Sequence, residues 1–403
     1  MRRAPSAASP AMRAGRALMA AAVGGLCAPG LARAEDAARA PAVVLEVRDT
    51  AEGWRNLQGG VAVGDSTLNK LQASFRFDGA AIGWRGFSAY AQVFKTNAQS
   101  LSAGRSGDVQ TASNIEAPGV ERLMELWVSQ AFGDPDAAGS LLVRGGVVDL
   151  NRTFDSIDPA GLFLNSSHGI GPDLSHSGPS GPSIFPVGGL AAQADWRPAA
   201  RLALHGGIFA EPDPQRQDRF VDAAPSRRYG AVGIVQADFA VTPEVQASLG
   251  AWRYTAAQAS LADPGRRLRP RPGVYGFVQG PTRLPGAPNG WIRIGLADRR
   301  LQDVAGYLGG GLVWQGLLPG RRADSFGLAV AHAVIGGPAR DAGGGLPAAE
   351  TSFEATYSLA LGRRIHLQPD LQHIRHPAGA PGLRSATLVG LRLSVGARVS
   401  SGE

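Results

Sequence analysis

The segment "IHLQPDLQHI", Ile365 to Ile374, alternates along its length. Ile365, Leu367, Pro369 and Leu371 make one row, and His366, Gln368, Asp370 and Gln372 make the other. Successive strand side chains point to opposite faces, so such a segment has one oily face and one wet face. Leu71, Ala73, Phe75 and Phe77 repeat the pattern, as does Arg122–Phe132, where Met124, Leu126 and Val128 oppose Glu125, Trp127 and Ser129. A soluble sheet buries its oily face in a core. A membrane barrel turns that face to lipid and keeps the polar face for a water-filled lumen.

The long uncharged stretches do not offer a helical alternative. Leu174–Ala194 contains Pro179, Pro182 and Pro186, and Val304–Gly320 is broken by Gly309-Gly310-Gly311, Gly316 and Pro319. Neither can form a continuous helix. If the chain spans a membrane, it does so as a closed barrel, because only closure satisfies every backbone group in lipid.

Strand-like segments are read at 59–63, 71–77, 87–94, 122–132, 141–148, 190–196, 202–210, 229–239, 246–254, 274–279, 291–296, 307–314, 326–334, 353–361, 365–374 and 386–395. Short turns such as 133–139, 197–200 and 361–364 alternate with long Gly/Pro/Ser-rich loops such as 96–119, 151–188, 211–228, 255–273 and 335–350. Outer-membrane barrels show this asymmetry. The expected fold is all-β: an antiparallel transmembrane β-barrel of sixteen strands, at about 23 residues per strand with its connection. Pro369 would face lipid and cost a ladder bond, so a bulge is expected there.

The N-terminus reads as a secretory signal. Arg2, Arg3, Arg13 and Arg16 precede the uncharged run Ala17–Ala32, and Ala32-Arg33-Ala34 offers a small-x-small cleavage site before Glu35. Gly24-Gly25-Leu26-Cys27 lacks the small residue that a lipoprotein site needs before Cys, so no lipid anchor is expected. The organisation expected is a signal peptide at 1–34, a lead-in at 35–53, a barrel at 54–395 and a tail at 396–403. Cleavage removes five Arg, and the formal net charge of +7 falls to about +2. The one basic run, Arg266–Arg271, sits among Pro and Gly, so nucleic acid is not an expected partner. Cys27 is the only cysteine, which leaves the mature chain without thiol or disulfide chemistry.

The chain resembles the carbohydrate-selective porins of the OprB family almost end to end. The likeness is carried by "ELWVSQ" (Glu125–Gln130), "LLVRGGVVDLNRTFDSIDPAGLFLNSSHGIGPDL" (Leu141–Leu174), "GPSIFPVGGLAAQADWRP" (Gly181–Pro198), "DSFGLAVAHA" (Asp324–Ala333), "ETSFEATYSLAL" (Glu350–Leu361) and "LQPDLQHIRHPAGAP" (Leu367–Pro381). The resemblance implies a sixteen-stranded monomeric barrel in the outer membrane of a Gram-negative bacterium and passive, sugar-preferring diffusion. Small sugars such as glucose are then the transported solute. Outer-membrane lipid, lipopolysaccharide and the barrel-assembly machinery are the partners; no cofactor is implied, and oligomeric state stays open. There are two departures from the family. No aromatic follows Tyr357, where such barrels usually end on one, and aromatics make up only 7% of the chain, thin for two interfacial girdles.

A sugar pore needs hydroxyl-binding groups and an apolar stacking plane in a narrow zone, and it must hold weakly enough to release. The residues read as pore-lining are Glu125 and Trp127 on the lumen face of one strand, then Arg144, Asp149, Asn151, Arg152 and Asp155 in and after the next. For the charges, the competing reading is mutual pairing that only keeps the wall wet; for Trp127, it is an interfacial position. His373 and His376 fall on opposite strand faces, so a shared metal is not expected, and His168 and His176 sit in a loop with little convergent carboxylate. Two other classes compete: an outer-membrane barrel enzyme, for which Ser180 or Ser183 with His176 is the one crowded set, and a soluble exported β-sandwich adhesin with its oily faces inward. A general small-solute porin without sugar preference is the alternative within the porin class.

Overall fold

The alternating segments become strands of one closed sheet. The computed structural model describes residues 41–213, 219–221, 228–342, 349–380 and 382–401. Its strands are β1 (Val43–Gln58), β2 (Gly64–Asp78), β3 (Phe87–Thr96), β4 (Glu121–Phe132), β5 (Leu141–Val148), β6 (Gly189–Ala199), β7 (Leu202–Ala210), β8 (Ala231–Ala240) and β9 (Gln246–Tyr254), then β12 (Gly273–Pro281), β13 (Asn289–Leu296), β14 (Val304–Gln315), β15 (Ser325–Ile335), β16 (Ala349–Ala360), β17 (Ile365–Arg375) and β18 (Ala386–Ser400). A small hairpin, β10 (Gln258–Ala259) with β11 (Arg267–Leu268), rises in the loop after β9. β1 pairs antiparallel with β18 and closes a sixteen-stranded barrel, so no strand of the barrel is left with an unpaired edge. Among the described residues no helix is long and apolar enough to cross a membrane.

The faces are inverted relative to a soluble sheet. On β17, Leu371 is 47% exposed while its neighbour Gln372 is fully buried. On β13, Ile292 is 65% exposed and Arg293 is 2% exposed. The apolar row therefore faces outward, as a lipid-facing wall requires, and the inward-core arrangement of an adhesin sandwich is not what the chain forms.

The strand reading needs five corrections. Gly59–Val63 is a turn. The strand before it, β1, starts at Val43 inside the stretch assigned to a lead-in, and β18 runs to Ser400, past Val395. The outer row of β1 explains the miss: Leu45 and Val47 are followed by Asp49, Gly53 and Arg55, so the oily face fades after two residues. On β4 the register shifts between Gln92 and Val93 of its partner, leaving Met124 as an extra residue. Met124 is buried, and only Leu126 and Val128 of its supposed row face outward. Pro369 does face outward, but without a bulge: the ladder to β16 skips from Thr356↔Asp370 to Leu359↔Leu367 in unchanged register. The stretch expected to be a signal peptide, 1–34, lies outside the described residues.

The apolar core lies inside the barrel, because two long loops fold inward. Leu150, Phe154, Phe163 and Leu174 of the loop 149–188 pack on the inner-wall aromatics Trp252, Tyr275, Phe277 and Trp291. Leu101, Ala112 and Ile115 of the loop 97–120 pack against Trp54, Leu68 and Leu388. Inward aromatics meet glycine on the neighbouring strand. A Cβ at Gly311 would lie 2.2 Å from the Trp291 ring, and one at Gly390 would lie 2.6 Å from Trp54.

Candidate functional site

The loop 149–188 is tied across the lumen by buried polar bonds. Arg293 on β13 donates from Nε to Asp155 (3.0 Å) and from Nη2 to the same carboxylate (2.8 Å), and its Nη1 pairs with Asp173. The Arg293 guanidinium also sits 5.4 Å from the Tyr275 ring centre and 5.2 Å from that of Tyr307. The Asp155 backbone N–H donates to Gln236 (3.0 Å) and to Tyr275 (3.1 Å). Further along, the Leu164 and Asn165 N–H groups donate to Glu354 of β16 at 2.6 and 3.0 Å. The loop is therefore fixed to the wall from β8 to β16; opposite lies the wall from β18 through β1 to β5, against part of which the loop 97–120 packs.

On that side two similar clusters stand. In the first, Glu125 of β4 accepts from Arg152 through Nε (2.9 Å) and Nη2, from Trp127 Nε1 (3.1 Å) and from the Asp149 N–H (3.3 Å). The Arg144 guanidinium lies 4.7 Å from the Trp127 ring centre, that of Arg152 lies 4.6 Å from Tyr90, and Tyr90 stacks on Trp127 at 5.3 Å. In the second, Glu52 of β1 accepts from Trp54 Nε1 (2.6 Å), Ser113 Oγ (2.7 Å) and Arg392 Nε (2.6 Å), while Arg392 Nη2 reaches Asn114 at 2.6 Å. Each cluster is a Glu-x-Trp on one inward strand face with an Arg brought to the Glu from elsewhere. In both, the carboxylate is nearly closed off and the arginine is the part left in reach of water. Arg152 is 21% exposed and Arg392 13%, against 2% or less for their glutamates. Lys70 lies between the clusters, with its ammonium 4.4 Å from the Phe185 ring centre.

The structure sorts the sequence-derived residues. Glu125, Trp127, Arg144, Asp149 and Arg152 come together. Trp127 faces inward at 8% exposure, so it is no interfacial girdle residue. Asp155 is a correction: it is 1% exposed and spent on Arg293, so it anchors the loop and offers nothing to a solute. Asn151 also works within the loop, where Nδ2 donates to the carbonyls of Phe154, Asp155 and Gly169 at 3.1 Å each. Sequence reasoning missed Glu52, Trp54, Tyr90, Lys70 and Arg392. The available signal was the repeated spacing, since Glu52-Gly53-Trp54 matches Glu125-Leu126-Trp127.

Asp149 caps the turn after β5, accepting from the Asn151 N–H at 2.9 Å. Burial, helped by the adjacent Glu125 charge, pushes its carboxyl up to about 7. His168 does meet a carboxylate, Glu354, at 3.5 Å, but burial lowers its pKa to about 3 and leaves it neutral at neutral pH. The loop serines bond backbone: Ser180 Oγ donates to the Pro212 carbonyl and Ser183 Oγ to that of Val148, each at 2.6 Å, and neither meets His176. Among the described residues no group of three His, Cys, Asp or Glu side chains could hold a metal.

A closed barrel with an oily exterior, a charged interior and a loop narrowing the lumen defines a membrane channel of the porin class. The carbohydrate-selective porin, OprB family, matches residues 62–396, and the chain belongs to it. Among solved structures, a high-pH structure of Pseudomonas putida OprB is similar at TM-score 0.75 and 17% identity, covering 90% of this chain and 96% of that one. The outer membrane channel DcaP of Acinetobacter baumannii follows at TM-score 0.51 and 9% identity, covering 89% and 98%. An anion-selective porin from Comamonas acidovorans gives TM-score 0.51 and 12% identity, covering 88% and 99%. No curated protein sequence matches the chain. It is an outer-membrane channel of the carbohydrate-selective class.

Proposed function

We propose that small neutral sugars, glucose among them, cross this barrel past the paired Glu-x-Trp-Arg clusters, with Arg152 and Arg392 presenting donors to sugar hydroxyls. The observation that carries this reading is the partial exposure of two arginines whose carboxylates are already satisfied. A guanidinium held at one end by Glu125 or Glu52 keeps its geometry and still has N–H groups to offer. A hydroxyl bonded there replaces water at small net gain, so the solute is selected and still released. Arg144 and Asp149 complete the lining on the β5 side. Trp127 and Tyr90 support the arginines from behind rather than offering an open stacking plane, because Arg144 and Arg152 lie over them.

Export through a signal cleaved after Ala34, insertion by the barrel-assembly machinery and contact with lipopolysaccharide belong to the same reading. The decisive experiment is single-channel conductance of the detergent-folded protein in a planar bilayer, with and without glucose. Steps that glucose partly blocks support the sugar site. Steps indifferent to glucose would leave a general small-solute pore.

A further inference from the structure

The outer wall is asymmetric from end to end. At the short-turn end it carries an aromatic girdle, in which Phe87, Phe132, Trp196, Phe239, Trp314 and Phe326 all face outward. The long-loop end has no matching girdle among the described residues. Polar and charged groups replace it: Arg55 with Asp65 (3.2 Å), Lys95 with Glu121 (2.5 Å), and Arg253, Arg299 and Arg375. Aromatic rings suit a phospholipid headgroup boundary, whereas cations suit a phosphate-rich one.

Between β13 and β15, at the long-loop end, this face holds an open groove of about 520 Å³. Ile294, Leu296, Leu308 and Val334 supply its apolar floor. A register shift between Val304 and Gly306 falls here, and Gly306 contributes no side chain. Arg299 and His332 stand at the rim. Leu308, His332, Thr351 and Arg375 form one outward row across β14 to β17, with His332 Nδ1 2.8 Å from Thr351 Oγ1. Arg299 and Arg375 are exposed, and neither guanidinium has a hydrogen bond or ion pair among the described residues. An apolar groove with one uncommitted cation in its lining, Arg299, and a second, Arg375, on the same outward face two strands beyond β15, is complementary to an acylated, phosphorylated headgroup on the lipid-facing side of an outer-membrane wall.

We propose that this groove binds the phosphorylated glycolipid of the outer leaflet, with an acyl chain over Leu296, Leu308 and Val334 and phosphate on Arg299 and Arg375. The inference rests on the lipopolysaccharide contact proposed above and on the long loops facing the cell exterior, and its test does not depend on the sugar site inside the lumen. The test is native mass spectrometry of the purified full-length mature protein, titrated with bis-phosphorylated lipid A, its dephosphorylated form and phosphatidylglycerol. Wild type should retain one lipid A where the other two lipids are lost. Each of Arg299→Ala and Arg375→Ala should weaken retention about fivefold. Leu308→Trp, which fills the groove without changing charge, should weaken it as well. Conductance and glucose block should stay at wild-type values in all three, which shows that the barrel has folded. Equal retention of dephosphorylated lipid A, equal retention of phosphatidylglycerol, or arginine variants that bind like wild type would each overturn the proposal. If an arginine variant fails to fold, the dephosphorylated lipid and Leu308→Trp still decide.

Discussion

Glu125 is worth most to the channel as a holder of Arg152. Its carboxylate accepts two guanidinium bonds, an indole N–H and a backbone N–H, and is left with almost no solvent contact. Arg152→Ala should therefore widen the lumen and weaken glucose block. A tenfold loss in the blocking constant, about 1.4 kcal/mol, is the scale of one polar contact. Glu125→Gln should act in the same direction through Arg152, while the lumen diameter changes little. Both are read from glucose titrations of single-channel current. Asp149 gives a pH signature. Its carboxyl titrates near 7 instead of the ordinary 3.8, facing Glu125, Arg152 and Lys70. On the proposed lining role, raising pH from 6 to 8 adds a negative charge there, so preference for anions over cations should fall across that interval. Asp149→Asn should flatten the reversal-potential curve. The fold prefers this group protonated, so the stability it contributes is full below the unfolded value and is lost as pH rises through about 7.

Among the elements, the loop 149–188 is the one tied across the barrel interior by buried polar bonds. Arg293 is its main fastener, and the packing around it leaves no room for alternatives. A Cβ on Gly171 would come within 2.1 Å of the Arg293 guanidinium, and one on Gly295 within 2.1 Å of the Asp173 carboxylate. Arg293→Met should leave two buried carboxylates without their cation. The expected loss is about 3–5 kcal/mol of stability, seen as an earlier unfolding transition in detergent, with larger and noisier conductance steps as the loop comes free. An unchanged step size would show that the remaining bonds, such as those to Glu354, hold the loop without Arg293. Fifteen of the sixteen strands could be read from alternation and turn residues. β1 could not, because Asp49 stands in its outward row, where Asn69 Nδ2 donates to it at 2.8 Å. A polar residue satisfied by its neighbour erases the oily period without preventing the strand.

At the scale of the whole molecule, closure is what stabilises the fold. Every barrel strand has two neighbours, with β1 and β18 sealing the ring over most of their length. The unheated protein should accordingly migrate faster than the boiled one on a denaturing gel and stay with outer membranes on fractionation. Equal mobility before and after heating would argue against a closed barrel. The thin aromatic content also makes sense at this scale. Among the described residues the chain builds one girdle, at the short-turn end, and carries charge at the other.

Alternation, turn spacing and the absence of any helix-capable apolar run were enough to determine a β-barrel, because strand period and backbone satisfaction in lipid are local properties of the chain. The same local reading placed Glu125, Trp127, Arg144, Asp149 and Arg152 near one another, since they sit on two paired strands and the turn that follows. It could not separate Asp155 from them, nor join Glu52 and Trp54 to Arg392. Those assignments depend on how the inward loops fold and on which strand seals the ring, and both are contacts between residues far apart in sequence. Only the tertiary structure decided which charges hold the loop and which stay partly exposed, because burial depends on contacts between distant segments.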